Sequence, residues 1–373
     1  MIETGSKTSP LAEYFESLGY KAVRIDGRAN GNNGNLVFTE FKSSEEELNS
    51  LYKGVGVRDI SNSGILELRG NDVLDFLHRV TTNSTKELPK ERAVQTIFTT
   101  EKGRIIDAAT LMNFDDYKIL VSSPANKLKV KSWIERYVIM DDVNLNDVKN
   151  KYVLFELLGP QAVSFTALIA GKVLNEIDYN QFKIINSDGV VFFLLKLKDQ
   201  NSRPKFWVMA DVTNGLTLVK FFQEYKGPFD FNFIGSEAYE TYRIEQGIPA
   251  APNELNSNFN PHEINLLDIV DFKKGCYIGQ EVIARLDTYD KVQKKLASVR
   301  FLEDIDDGNL NLFDNDGKEA GQITSTIYSK RIGGKIGLAL VRKAYLDEGT
   351  VLSAKNGNGK TAKVIVENLP FKK

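Results

Sequence analysis

Apolar and polar positions along the chain switch between the two-residue period of strands and the longer period of helices. In Leu66-Glu67-Leu68 the apolar residues alternate; Arg69-Gly70-Asn71 breaks the run, and Val73, Leu74, Phe76 and Leu77 then recur at helical spacing. The same order returns at Phe155-Glu156-Leu157, Gly159 and Ala162-Val163-Ser164-Phe165, and the segments 66–77 and 155–166 align without a gap. Each predicts a short strand, a Gly turn and the start of an amphipathic helix, with Pro160 suited to a first helical turn. We read the pair as an internal duplication.

The stretches C-terminal to the two units match as well. Strand-like runs at 93–100, 104–113 and 117–123 lead to a helical stretch near 126–139, and runs at 181–186, 189–197 and 205–210 lead to a helix near 213–225. Both halves therefore approximate a split β-α-β-β-α-β pattern, and the predicted class is α+β. From about residue 297 short strands at 297–301, 321–328, 337–341, 350–354 and 361–367 are separated by Asp-Gly, Gly-Gly and Asn-Gly turns. That texture predicts a small β-barrel as a separate domain. Asp26 to Leu36, rich in Gly and Asn, reads as a surface loop.

Length and charge narrow the classes. With 373 residues the chain is too long for one ordinary core, and two or three domains are expected. A formal net charge of −2 gives no electrostatic pull toward nucleic acid or an anionic membrane. Apolar runs such as Val190 to Leu195 are far too short to span a bilayer, and Met1 to Glu16 has no signal-peptide core. A single cysteine excludes an internal disulfide and fits a reducing compartment, so a cytoplasmic protein is expected, or one of the mitochondrial matrix in a eukaryote.

Three places carry candidate chemistry. Cys276, the lone thiol, lies between Gly275 and Gly279 in Lys274-Gly275-Cys276-Tyr277-Ile278-Gly279-Gln280-Glu281. Lys273, Lys274 and Arg285 are near enough in sequence to favour a thiolate, and Glu281 and Arg285 share one helical face; the bland alternative is a structural cysteine in a Gly turn. Asp107 sits among hydrophobic strand neighbours, where a carboxylate either faces a ligand or pairs with a surface lysine from an edge strand. Arg243 and Glu245 fit one polar face of a strand, a helix start, or a plain ion pair. His78 and His262 are the only histidines, and no CxxC or HxxxH spacing supports a metal site. Nucleotide-binding glycine motifs and a serine-hydrolase elbow are absent as well.

The run Lys274 to Glu281, followed by Val282-Ile283-Ala284-Arg285, resembles the signature of the YgfZ-type branch of the glycine-cleavage T-protein (aminomethyltransferase) superfamily. Val57-Arg58-Asp59-Ile60-Ser61, Thr82-Asn83 and Tyr242-Arg243-Ile244-Glu245-Gln246-Gly247 are similar to further blocks of that family, and Gly321 to Phe371 to its terminal barrel. The resemblance implies a three-lobed ring: residues 1–150 as a folate-binding lobe to which 240–296 return, 151–239 as a second lobe, and 297–373 as the barrel. It implies tetrahydrofolate, or a one-carbon derivative, as cofactor, held by Asp107, Asn83, Arg243 and Glu245, with Cys276 and Asp107 as the reactive residues. It also implies an accessory role toward iron–sulfur cluster enzymes as partners, the alternative being tetrahydrofolate-dependent aminomethyl transfer. Two departures bear on that choice. Ala108 follows Asp107 where transferases pair two aspartates, and Asn201 to Trp207 contains no acid where they carry a pterin-binding carboxylate.

Overall fold

The computed structural model describes residues 9–25, 35–148, 150–199, 201–289, 292–306 and 308–371. Strands Gly64–Arg69, Ala93–Thr99, Ile105–Asn113, Lys118–Ser122 and Asn144–Asp147 form a five-stranded antiparallel sheet. Helices Val73–Val80 and Lys127–Tyr137 cover one face of it, because Leu66, Leu68 and Leu120 meet Phe76, Leu77, Val130 and Ile134 there in one core. Ile65, one residue out of phase with Leu66, belongs to the core on the opposite face.

A second sheet has six strands, in the order Gln181–Ser187, Val190–Lys198, Pro204–Asp211, Tyr152–Leu158, Val55–Asp59 and Phe231–Phe233. The Val55–Asp59 strand pairs antiparallel with Tyr152–Leu158 and parallel with Phe231–Phe233. This departs from the expected allotment of the N-terminal segment to the first lobe. Val55 and Val57 are buried in one core with Phe15, Leu36, Phe155, Phe165 and Phe222, so the helix Ala12–Ser17 and the hairpin Lys21–Ile25/Asn35–Glu40 pack on the second sheet. The anticipated loop falls mostly at 26–34, outside the described residues, and its end opens the Asn35–Glu40 strand. The two sheets meet face to face through Ile65, Met112 and Ile119 on one side and Leu154, Leu195, Trp207 and Met209 on the other.

The paired strand–Gly–helix units occupy the two sheets. Gly70 has φ +125° and Gly159 φ +106°, and a Cβ would lie 1.9 Å from the Asp142 carbonyl oxygen at the first and 2.5 Å from that of Gly54 at the second. Each glycine lets a neighbouring backbone cross the turn at a distance no side chain permits.

The terminal strands Lys294–Phe301, Asn311–Phe313, Glu319–Ser329, Gly334–Arg342, Val351–Lys355 and Thr361–Glu367 close into a barrel. Asn311–Phe313, three residues long, is too short to carry an alternation signal in the sequence. Helix Ser236–Gln246 joins the parts: Tyr242 packs with Leu51, Leu158 and Ile234, and Ile244 with Leu338 and Phe371 of the barrel domain. No described helix is long and apolar enough to cross a membrane.

Alanine at Gly70 or Gly159 is expected to destabilise the protein by more than about 2 kcal/mol. At Gly189, where φ is +81° and nothing lies within 4 Å of the added Cβ, it is expected to cost only about 1 kcal/mol. Thermal melts of the three variants test this; equal shifts would refute the steric account.

Candidate functional site

Asp107 lies in an interior strand of the first sheet, not at its edge, and is completely buried. Its Oδ2 accepts the Ser123 backbone N–H at 2.7 Å, and its Oδ1 accepts the Ser123 hydroxyl at 2.8 Å and the Asn126 amide at 3.3 Å. Burial pushes the carboxyl up to about 6 despite these donors, and among the described residues no lysine pairs with it. Asn126, which precedes the Lys127–Tyr137 helix, is fixed in its turn: its amide also donates to the Leu255 carbonyl, and its oxygen accepts Lys129.

Cys276 is exposed, at the tip of a turn. The base of that turn is fastened to the end of the Val73–Val80 helix. Lys274 is buried beneath it, and its Nζ donates to the carbonyls of His78 at 2.5 Å and of Thr81 and Asn83 at 2.8 Å. The His78 carbonyl is one of those that a helix terminus leaves without partners, and Thr81 and Asn83 follow in the chain as it leaves the helix. All three ammonium protons therefore go to the backbone, so Lys274 anchors the turn and is not the thiolate's counter-ion. Burial pulls its pKa down to about 7. Tyr277 is buried with its ring 5.0 Å from that ammonium, and burial followed by Asp271 raises its hydroxyl to about 12. The Ile278 N–H bonds to the Arg79 carbonyl, and the Ile278 carbonyl accepts Thr99 Oγ1. Gly279, at φ 85°, caps the Gln280–Thr288 helix, on which Glu281 and Arg285 are exposed. A Cβ on Gly275 would stand 3.8 Å from His78 Nε2, an ordinary contact.

Asn83, beyond the end of the Val73–Val80 helix, accepts Lys274 at its carbonyl, and its amide donates to the Gln95 carbonyl. Arg243 and Glu245 sit elsewhere, both on the Ser236–Gln246 helix and both buried. Arg243 donates to Glu240, to Glu254 at 3.0 Å and to Ser325 of the barrel at 2.7 Å. Glu245 accepts Arg331 at 2.8 Å and also Tyr52 and Ser329. Asp107 and Arg243 are thus connected through adjacent residues, Leu255 bonded to Asn126 and Glu254 bonded to Arg243, while each keeps its own internal partners.

A further cluster has little signal in the sequence. The Arg58 Nη2 is 2.9 Å from Glu156 Oε2, and its guanidinium stacks over the Tyr239 ring at 3.4 Å. Lys205 and the Trp207 indole both reach Glu156 Oε1, at 3.3 and 3.2 Å. Burial pushes Glu156 upward, but Arg58 and then Lys205 outweigh it and hold the carboxyl at about 2. Trp207, at the end of the acid-free run Asn201 to Trp207, pairs across the ladder with Glu156. In the chain the cluster shows as Arg58 and Asp59 closing the Val55–Asp59 strand and as Glu156 interrupting an otherwise apolar one. Arg58 Nε is buried without a hydrogen-bond partner. Among the described residues no group of three or more His, Cys, Asp or Glu side chains is placed to hold a metal ion. A cavity of about 440 Å³ lies apart from all these clusters, beside His262, Asp268 and Lys295.

Two facing sheets, a closed barrel and a buried strand carboxylate define a protein of the T-protein class. The family model for the GCVT N-terminal domain matches residues 11–274, and that for the glycine cleavage T-protein C-terminal barrel domain matches 294–373. The chain belongs to the glycine cleavage T-protein family. It is 28% identical over 337 residues to the putative transferase At1g60990, chloroplastic, of Arabidopsis thaliana, covering 90% of this chain and 75% of that protein. It is 28% identical over 363 residues to an aminomethyltransferase of Leptospira biflexa, covering 96% and 95% of the two chains. The crystal structure of the glycine cleavage system aminomethyltransferase T from Bartonella henselae has the same fold, with a TM-score of 0.80 at 20% identity over 98% of each chain.

Asp107 should leave a signature in stability. Its pKa rises on folding from 3.8 to about 6, so its contribution is fully present below 3.8 and is lost as pH climbs through about 6. Asp107→Asn, which removes the titrating group, is expected to flatten that part of the stability–pH curve. Urea titrations from acid to neutral pH measure it; an unchanged slope would remove Asp107 as the cause.

Proposed function

We propose that the chain is a tetrahydrofolate-dependent one-carbon transferase of the aminomethyltransferase type. The observation that carries this reading is Asp107, a fully buried carboxylate with a pKa lifted to about 6 and oriented by Ser123 and Asn126. A group so poised exchanges its proton near neutral pH, and its fixed oxygens can orient an amine nitrogen. A reduced folate supplies a nitrogen that accepts the one-carbon unit and brings a flat donor-rich ring and an anionic tail. The residues present suit such a molecule: Asp107 and Glu156 are acceptors, Tyr239 and Trp207 are aromatic surfaces, and Arg58 and Lys205 together exceed the charge of Glu156. Relatives named aminomethyltransferase over nearly the whole chain add support.

One further observation favours a second reading. The exposed thiol on an anchored, glycine-flanked turn has no evident part in one-carbon transfer, and it suits a YgfZ-type accessory protein that binds a folate and serves iron–sulfur cluster enzymes. Either activity fits a reducing compartment such as the cytoplasm.

Formation of methylene-tetrahydrofolate from an aminomethyl-loaded lipoyl carrier protein separates the two. The transferase reading expects turnover that falls about 100-fold or more in Asp107→Asn and survives Cys276→Ala. No turnover by a protein that still binds reduced folate, with Cys276→Ala cells failing under oxidative stress, would transfer the assignment to the accessory role.

A further inference from the structure

We infer that the turn carrying Cys276 is a proton-controlled clasp, which opens from the end of the Val73–Val80 helix by drawing Lys274 into water and taking up a proton. Neither reading of the activity is needed for this, and it survives the failure of both.

The parts are a buried amine, three carbonyls and two glycines. Lys274 is 8% exposed, and its Nζ ties the turn to the carbonyls of His78, Thr81 and Asn83. Two backbone bonds close the rest of the clasp. The Asp271 N–H donates to the Thr82 carbonyl at 3.0 Å, and the Ile278 N–H to that of Arg79 at 3.1 Å. Gly275 follows Lys274 directly, and Gly279 ends the turn at φ 85°. A Cβ on Gly275 would meet nothing closer than 3.8 Å, so the backbone has room to swing there.

Among the described residues no carboxylate pairs with Lys274, so dipoles alone hold its charge, and burial favours the neutral amine. The ionisable groups around it leave that preference in place. Asp271, from the segment before the turn, favours the ammonium but is outweighed by burial, and Lys274 is drawn down to about 7. His78, from the helix, is itself lowered by burial and then by Lys274, and its Nδ1 accepts the Thr85 N–H as a neutral ring does. Tyr277, with its ring 5.0 Å from Nζ, is raised to about 12 and stays protonated. Asp75 and Lys86 pair at 3.3 Å and bear on His78, while Arg79 pairs with Asp75 and Asp141. Lys273, Cys276 and Glu281 are exposed.

Opening returns Lys274 to water and to its usual value of 10.5. The open turn therefore binds the proton more tightly than the closed one, and opening is favoured as pH falls. From 10.5 down to about 7 the open population grows about tenfold per pH unit; below about 7 both states hold the proton and the growth stops. Cys276 is thus held firmly on the alkaline side and presented on a looser turn at neutrality.

Two measurements on the full-length protein test the clasp. In protein labelled with ¹³C at the lysine ε-carbon, the Lys274 signal, assigned by its loss in Lys274→Met, is expected to titrate near 7, well below the bulk of the lysines. Hydrogen exchange of the Asp271 and Ile278 amides, corrected for the intrinsic rate, is expected to quicken about tenfold per unit from pH 9 to pH 7. Amides of the Ile105–Asn113 strand serve as the control and are expected to stay level. Lys274→Met is expected to remove the pH dependence at 271 and 278, whatever it does to the level of protection. A Lys274 signal that titrates with the other lysines would overturn the clasp, and so would a flat exchange profile in the wild type. Equal pH slopes in wild type and Lys274→Met would place the proton elsewhere and refute it too. If the variant does not fold, the wild-type exchange profile decides alone.

Discussion

A guanidinium buried at the meeting point of three parts of the molecule constrains the rest. Arg243 is 1% exposed and its partner Glu254 is fully buried; Arg243 also pairs with Glu240, but Glu254 has no second cation among the described residues and does not tolerate the loss of Arg243. Breaking such a pair leaves an uncompensated charge, at a cost of about 3–5 kcal/mol. Ser325 bonds to both, which draws the barrel onto the helix carrying Arg243. Two residues on, Glu245 repeats the arrangement with Ser329 and Arg331 of the barrel and Tyr52 of the N-terminal segment. The placement of Asp107 depends on the same node, because Asn126 hangs from the carbonyl of the residue after Glu254.

The buried acids around this node are built on opposite principles. Asp107 is held by donors yet denied a cation, so burial wins and its proton affinity rises. Glu156, equally buried, has Arg58 and Lys205 beside it and stays ionised. Cys276 follows neither pattern. Its turn is fixed from below by Lys274 while the thiol itself stands in solvent. A sequence in which Lys274 stands two residues before Cys276 invites the reading of a cation activating a thiol; the structure shows the cation organising the backbone instead.

Much of the fold is legible in the chain because local pattern and tertiary structure agree. The paired strand–Gly–helix units, the strands near 93–123 and 181–211, and most of the barrel follow from alternation and glycine turns. The membership of Val55–Asp59 in the second sheet is not legible, since strand partners lie far away in sequence and propensity is blind to them. Among site residues, the burial of Asp107 follows from its apolar neighbours. Arg243 and Glu245 are visible as a pair, but their engagement with the barrel depends on Ser325, Ser329 and Arg331, residues with no distinguishing local signal. Glu156 is hidden because one acid in a strand has the same local pattern as any solvent-facing polar position.

The long reach of the Val55–Asp59 strand also orders events during synthesis. Every strand of the first sheet lies between Gly64 and Asp147, so that sheet can close once this stretch has left the ribosome. Val57, made earlier, waits for Leu157 and then Phe233, its neighbours on either side. Until the later strand arrives, the edge of Val55–Asp59 stays open, and contacts of such sequence separation close slowly. An early strand is therefore completed after every other strand of the two sheets, and the nascent protein carries an unsatisfied strand edge from Asp59 until Phe233 has been made.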